Sequence, residues 1–309
     1  MNYCEFQNGV VEKIRHLVGE ECEITIREVR KNNGVILNGL VITGKDTDVS
    51  PTIYLEPFYE AYLQGSTMQE LVDEIYRIYD ENHIEGQMNL DFFEDYGRVR
   101  NKIFHKVINY EQNSDFLEKV PHIRFLDLAI VCYCVYMNDL MGKGSIQIDR
   151  DFLDKWGITE EQLFKDAADN TANKLGPEVK SIQDMLFEML LKEKEITSAE
   201  DAFRLWDETM DDAGTVPMYV MTVKGCSFGA VCIYHEEWME AFYNKINMGF
   251  YILPSSIHEL ILIPKEAAAS AQELQKMVKD VNLSCVLPQE RLSDNVYYYN
   301  PLTKRVEIA

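Results

Sequence analysis

The chain reads as an α+β protein in which an N-terminal β-hairpin-plus-helices region packs on a mixed and antiparallel α/β core. An Asn-Gly pair between two short β-branched runs predicts the hairpin. Farther along, the middle and C-terminal sections each place two adjacent strand-like runs ahead of a helix. The chain has 309 residues, 46% of them hydrophobic, so it buries a core without disulfide or metal support. Length suggests about two domains. The division falls as 1–115 for the N-terminal helix, hairpin and helices and 116–309 for the α+β core, with a further sub-boundary near 192–216.

Val10, Val11, Ile14, Leu17 and Val18 recur at helical spacing over residues 5–18, and Gly19 is the expected stop. Ile24-Thr25-Ile26 and Val35-Ile36-Leu37 then flank Lys31-Asn32-Asn33-Gly34, and Asn33-Gly34 is expected to form a two-residue turn because both residues accept positive φ. Residues 44–51 read as a polar loop and Thr52–Leu55 as a short extended piece. A helix begins near Thr67 with Met68, Leu71, Val72, Ile75, Tyr76 and Tyr79 on one face, and Gln87–Tyr110 is expected to be helical as well. Phe125–Tyr136 has the composition of a strand buried on both faces. Gly142 and Gly144 are expected to turn the chain into a partner strand, Ser145–Ile148.

Two helices separated by Gly157 follow, the second opened by Thr159 with Gln162 in capping-box position. Ile182, Met185, Leu186, Met189 and Leu190 form an amphipathic stripe. Beyond the acidic stretch 192–215, strands are expected at Met218–Val223 and Gly229–Tyr234, a helix at Glu236–Ile246, and strands at Phe250–Leu253 and Leu260–Ile263. A helix over Ala267–Val281 and a hairpin of Val296–Tyr299 with Arg305–Ile308, turned by Asn300-Pro301-Leu302-Thr303, complete the chain.

Fifty-two acidic residues against thirty basic ones give a formal net charge of -22. Such a surface repels phosphate backbones and anionic lipid headgroups and favours neutral or cationic partners, so neither nucleic acid nor membrane is an expected partner. The N-terminus lacks a basic stretch followed by an apolar one, and the longest apolar run, Leu128–Met137, is too short to span a bilayer. The odd count of seven cysteines, most of them inside apolar runs, reads as buried reduced thiols. These features lead to the expectation of a cytoplasmic protein.

Four segments, Lys31-Asn32-Asn33-Gly34 with Ser50–Tyr59, Ala167-Ala168-Asp169-Asn170-Thr171, Tyr251–Glu259 and Leu292–Tyr299, follow one another along the chain. Together they resemble a bacterial family catalogued only as a domain of unknown function. The resemblance implies a cytoplasmic protein of anaerobic gut-type bacteria, often encoded near mobile-element genes. It brings no activity and no catalytic residues.

Ser255, Ser256, His258 and Glu259 place hydroxyls, an imidazole and a carboxylate within five residues. Catalysis by such groups needs them converged from separate segments beside an oxyanion hole, and no Gly-x-Ser-x-Gly occurs here. The four are expected to form a connection between strands that doubles as a binding loop. His235-Glu236-Glu237-Trp238 has Met239 where a zinc protease needs its second histidine, so His235 and Glu236 are read as a helix start. Cys132-Tyr133-Cys134 lacks zinc or redox spacing. The acids between Glu193 and Asp212 lack the order of a calcium loop, and Gly142-Lys143-Gly144 is not a phosphate loop. Tyr297-Tyr298-Tyr299 on a strand would face alternate sides, which does not suit a stacking platform. No metal and no cofactor is expected. The residues read as an interaction or accessory protein with no evident catalytic site. Two alternatives stay open: a hydrolase or transferase with an unrecognised site, marked by a pocket joining Ser, His and acid, and an acidic decoy mimicking nucleic acid, marked by a clustered carboxylate face.

Overall fold

In the computed structural model, which describes residues 1–44, 50–82, 91–138, 142–193, 198, 216–225 and 227–309, the chain is α+β and divides into two compact units. The first holds Met1–Val99 with Val135–Ile146, and the second Arg100–Cys134 with Gln147–Ala309.

Asn2 opens the first unit. Its side chain accepts the Glu5 N–H at 2.9 Å while the Glu5 carboxylate accepts the Asn2 N–H at 2.9 Å, a reciprocal cap that starts α1 (Tyr3–Val18). Gly19, at φ 83°, ends it. Phe6, Val10 and Ile14, four apart, are fully buried along one stripe. β1 (Glu23–Arg30) and β2 (Ile36–Thr43) form the expected antiparallel hairpin, with Asn33 and Gly34 at φ 60° and 68°. The turn is wider than two residues. Lys31 donates its N–H to the Val35 carbonyl at 2.7 Å and Arg30 pairs with Ile36, so Asn32 joins Asn33 and Gly34 outside the ladder.

β3 (Thr52–Tyr54) pairs with β2, and α2 (Glu56–Leu63) and α3 (Met68–Asn82) follow. Leu40, Ile42, Leu55, Leu71, Val72 and Ile75 close the core over the α1 stripe. Glu56, the first residue of α2, accepts the Tyr3 hydroxyl at 2.8 Å, the Asn38 N–H at 2.7 Å and the Asn38 amide at 3.0 Å, tying α1, β2 and α2 together. Burial opposes the Glu56 charge, but these hydrogen bonds outweigh it and hold its carboxyl below the usual range. A 3-10 turn, Asp91–Glu94, and the single turn α4 (Tyr96–Val99) complete the described part of this unit's first segment.

The second unit departs from the expected helix at its start. Residues 103–109 are not helical but form β4 (Ile103–Asn109), while Gln87–Leu90 of the expected helix lie outside the described residues. Val99, Ile103 and Val107 carry a helix-like spacing of four, yet strand faces also repeat every second residue. Here both faces are buried, which favours Ile, Phe and Val in extended chain. Beyond the single turn α5 (Ser114–Leu117), the expected single strand from Phe125 is itself a hairpin. β5 (His122–Phe125) turns through Leu126, at φ 57°, and Asp127 into β6 (Leu128–Asn138). β7 (Gly142–Gln147) pairs with β6 and contains Gly142 and Gly144, so these glycines lie within the strand rather than turning the chain.

β4 pairs with β6, and side chains at the end of a helix take up part of its other edge. α6 (Arg150–Trp156) ends at Gly157, φ 65°, and α7 (Glu160–Asn170) starts where Thr159 accepts the Gln162 N–H at 3.2 Å. At the end of α7 the Asn170 amide donates to the Arg100 and Ile103 carbonyls at 2.6 and 2.9 Å, and the Thr171 hydroxyl accepts the His105 N–H at 3.0 Å. Those bonds occupy polar groups an edge strand would otherwise leave open.

The remaining strands form one antiparallel sheet in the order β13-β12-β10-β11-β9-β8. They are β8 (Pro177–Ser181), β9 (Tyr219–Val223), β10 (Phe250–Pro254), β11 (Leu260–Pro264), β12 (Tyr297–Asn300) and β13 (Arg305–Ile308). α8 (Ile182–Glu193) follows β8 directly, with the Ser181 hydroxyl accepting the Asp184 N–H at 3.0 Å. Gly229–Tyr234 is a buried 3-10 helix and not the expected strand. A Cβ on Gly229 would collide with the His258 carbonyl and the Thr222 hydroxyl, so the chain passes there only as glycine. α9 (Glu236–Ile246) sits as expected, and α10 (Ala271–Ser284) starts later than Ala267, behind a Ser270–Glu273 capping box. No helix among the described residues is long and apolar enough to cross a membrane.

Candidate functional site

β10 and β11 pair from Phe250–Pro264 up to Pro254–Leu260, which leaves Ser255–Glu259 as the loop between them. Hydrogen bonds within the loop and to its neighbours fix its shape. The Ser256 hydroxyl accepts the His258 N–H at 3.0 Å, the Ser256 N–H reaches the Glu259 carbonyl at 3.3 Å, and the Ser255 hydroxyl donates to Glu259 Oε1 at 3.4 Å. Ile257 is the buried pin: its N–H donates to the Glu290 carbonyl at 2.8 Å, and its carbonyl accepts the Ala230 N–H at 3.3 Å. The Thr222 hydroxyl holds the His258 carbonyl at 2.8 Å.

The His258 Nδ1 accepts the Phe228 N–H at 3.2 Å, which assigns the ring proton to Nε2, 3.9 Å from Glu290 Oε1. The imidazole stacks on the Phe228 ring at 5.5 Å. Phe228 itself lies at φ 58°, ψ 30°, a left-handed conformation rare for an aromatic residue. The bond to His258 and the stack hold it there. Ser255, Ser256, His258 and Glu259 are thus neighbours in sequence and in a hydrogen-bonded turn, yet neither hydroxyl points at the imidazole. Such a turn can present its half-exposed Ser255 and Glu259 rigidly to a partner.

Sequence reasoning missed Lys106. Its ammonium lies 5.1 Å from the Phe228 ring and 6.0 Å from the Tyr133 ring, and burial brings its pKa down to about 8. The misread strand concealed it, since a lysine inside a helix reads as solvated. His105 and His235 were missed as a pair for the same reason. Their ring centroids are 6.2 Å apart, and among the described residues neither nitrogen of His105, nor Nε2 of His235, has a hydrogen-bond partner. Burial, reinforced by the charge of His235, lowers the His105 pKa to about 3, and burial alone lowers that of His235 to about 4. His235 does occupy the N-cap position of α9, but it makes no side-chain cap and stacks on Trp238 at 4.1 Å.

Cys132, Cys134 and Cys232 are buried free thiols, with burial driving their pKa values up, that of Cys134 to about 12. Cys4 and Cys285 are exposed, Cys22 is half-buried, and Cys226 lies outside the described residues. Among the described residues no three His, Cys, Asp or Glu side chains are placed to hold a metal ion. The acids from Glu195 to Asp212 lie outside the described residues. Tyr297 and Tyr299 are buried and Tyr299 stacks on Phe250 at 5.1 Å, so one face of the tyrosine run is core, while Tyr298 is half-buried. Its segment converges on Asp127, whose carboxylate accepts Ser293 Oγ at 2.6 Å, Tyr297 OH at 2.9 Å and Asn295 Nδ2 at 3.0 Å.

Fold and loop together define an α+β protein whose motif residues serve as structural ties: Glu56, Asn170, Thr171, and Ser293, Asn295 and Tyr297 on the Asp127 hub. The chain belongs to a family of unknown function, DUF5688, whose family model matches residues 3–301. Neither a search of curated proteins nor one of solved structures returns a match.

Proposed function

We propose that this protein is an acidic interaction or accessory protein of the bacterial cytoplasm, and that the β10–β11 loop is part of its recognition surface. The partner in this reading is a neutral or cationic protein, in keeping with the net charge of -22. The observation that carries the reading is the loop itself. Its backbone is pinned at Ile257 and His258, while Ser255 and Glu259 stay half-exposed on the outside. A hydrolase needs a serine aimed at a base, whereas here His258 Nδ1 is spent on the Phe228 N–H.

The same geometry selects the test. Ser256 and His258 hold the turn, so replacing them would change its shape; Ser255→Ala with Glu259→Lys alters the outward groups and removes only the long 3.4 Å hydrogen bond between them. Affinity capture from native lysate, quantified by mass spectrometry, should lose specific partners with that double variant while its circular dichroism stays unchanged. Identical partners at identical yield would sink the proposal. Covalent labelling of Ser255 or Ser256 by a fluorophosphonate would do so too, in favour of a hydrolase.

A further inference from the structure

Glu259 also lines a groove of about 210 Å³ that α8 forms with β8 and β9. Its apolar surface comes from Met185, Met189 and Val220, and three carboxylates stand around it, Glu178, Glu188 and Glu259. Among the described residues the only cation lining it is Lys180, which is held by both oxygens of Glu188, at 2.9 and 2.8 Å. Met189 and the neighbouring Leu186 are 60% and 47% exposed, so α8 leaves apolar surface uncovered beside the groove. Methionine adapts its shape to different apolar partners.

We propose that this groove docks a basic amphipathic segment of another protein, its apolar residues on Met185 and Met189 and its lysines or arginines facing Glu178 and Glu259. Charge decides among the occupants. The chain's own following segment carries Glu195, Glu200, Asp201, Asp207, Glu208, Asp211 and Asp212 against Lys194 and Arg204, so it meets the carboxylates with like charge. A second copy, at a net charge of -22, is repelled in the same way. A cationic partner gains both apolar contact and neutralisation of the rim. The inference rests on the interaction reading above and assigns its partner chemistry.

A short helical peptide of leucine and lysine, its leucine–glutamate counterpart and a scrambled leucine–lysine peptide are the probes, read by fluorescence anisotropy at physiological salt. The amphipathic basic peptide should bind the full chain, and the acidic one should not. Met189→Glu should weaken binding by about ten-fold or more, although it makes the protein more negative. Glu178→Lys should weaken it as well. Nonspecific attraction to the acidic surface predicts the opposite for Met189→Glu, so binding that is equal or tighter overturns the groove, as does equal binding of the scrambled peptide. In lysate capture, a partner kept by Met189→Glu but lost by the Ser255→Ala, Glu259→Lys variant refutes the groove and leaves the loop reading standing. A partner lost by both variants supports the groove.

Discussion

Replacing His105 by leucine should flatten the acid limb of this protein's stability curve. The His105 ring is 1% exposed, faces Phe164, Tyr234 and His235, and has no hydrogen-bond partner at either nitrogen among the described residues. The backbone of Phe164 favours the charged form, but burial is the larger effect and wins. The folded pKa of about 3 lies below the unfolded value of 6.5, so as pH falls the unfolded chain takes up the proton first. Stability from this residue is therefore complete above the unfolded value and drains away toward the folded one. At about pH 5 the loss is near 2 kcal/mol, since each pH unit of separation is worth about 1.4 kcal/mol. His235, with a folded value of about 4, adds a similar loss. Urea unfolding at about pH 7 and about pH 5, followed by circular dichroism, gives the pH-dependent difference for wild type and His105→Leu, and the packing change cancels between the two conditions. The variant should lose about 2 kcal/mol less than wild type across that interval. Equal losses in the two proteins would refute the reasoning and mean that the imidazole is solvated or paired.

Asp127→Ala should destabilise by about 3–5 kcal/mol in urea unfolding, because it leaves the buried Tyr297 hydroxyl, Ser293 and Asn295 without their acceptor. Gly229→Ala should cost about 1–3 kcal/mol or more, as its Cβ would collide with the His258 carbonyl; an unchanged midpoint would contradict the close approach. Lys106→Met should raise stability by about 2 kcal/mol at neutral pH by removing a poorly solvated charge. That advantage should shrink above the folded Lys106 pKa of about 8, where the wild-type amine is neutral only in the folded state, and a pH-independent difference would count against it.

Local chemistry made part of this architecture legible in the sequence. The Asn33-Gly34 turn, the Gly19 and Gly157 helix ends and the Thr159 cap each rest on a few adjacent residues whose φ or hydrogen bonds decide the outcome. What stayed hidden depends on distant contacts. Ile103–Asn109 extends because β6 and the Asn170 and Thr171 side chains take up its backbone, and Gly229 lies against Thr222 and His258, which are far from it in sequence. α2 hides behind Pro57, a residue that reads as a breaker although a helix start tolerates it. β8, Pro177-Glu178-Val179-Lys180-Ser181, has almost no apolar signal because it is an edge strand. At the candidate site the loop residues were visible as a cluster of polar types. Their partners, Phe228, Thr222, Ala230 and Glu290, come from three other segments, and no local pattern marks them.

The proposal that the β10–β11 loop is a recognition surface is open to site-specific photo-crosslinking. A photoreactive residue replaces Glu259 in one protein and Leu302, 95% exposed in the β12–β13 turn, in another, and both are irradiated in living cells. Position 259 should give a discrete adduct with a neutral or basic protein that position 302 does not give. No adduct at 259, or the same adducts at both positions, would contradict it.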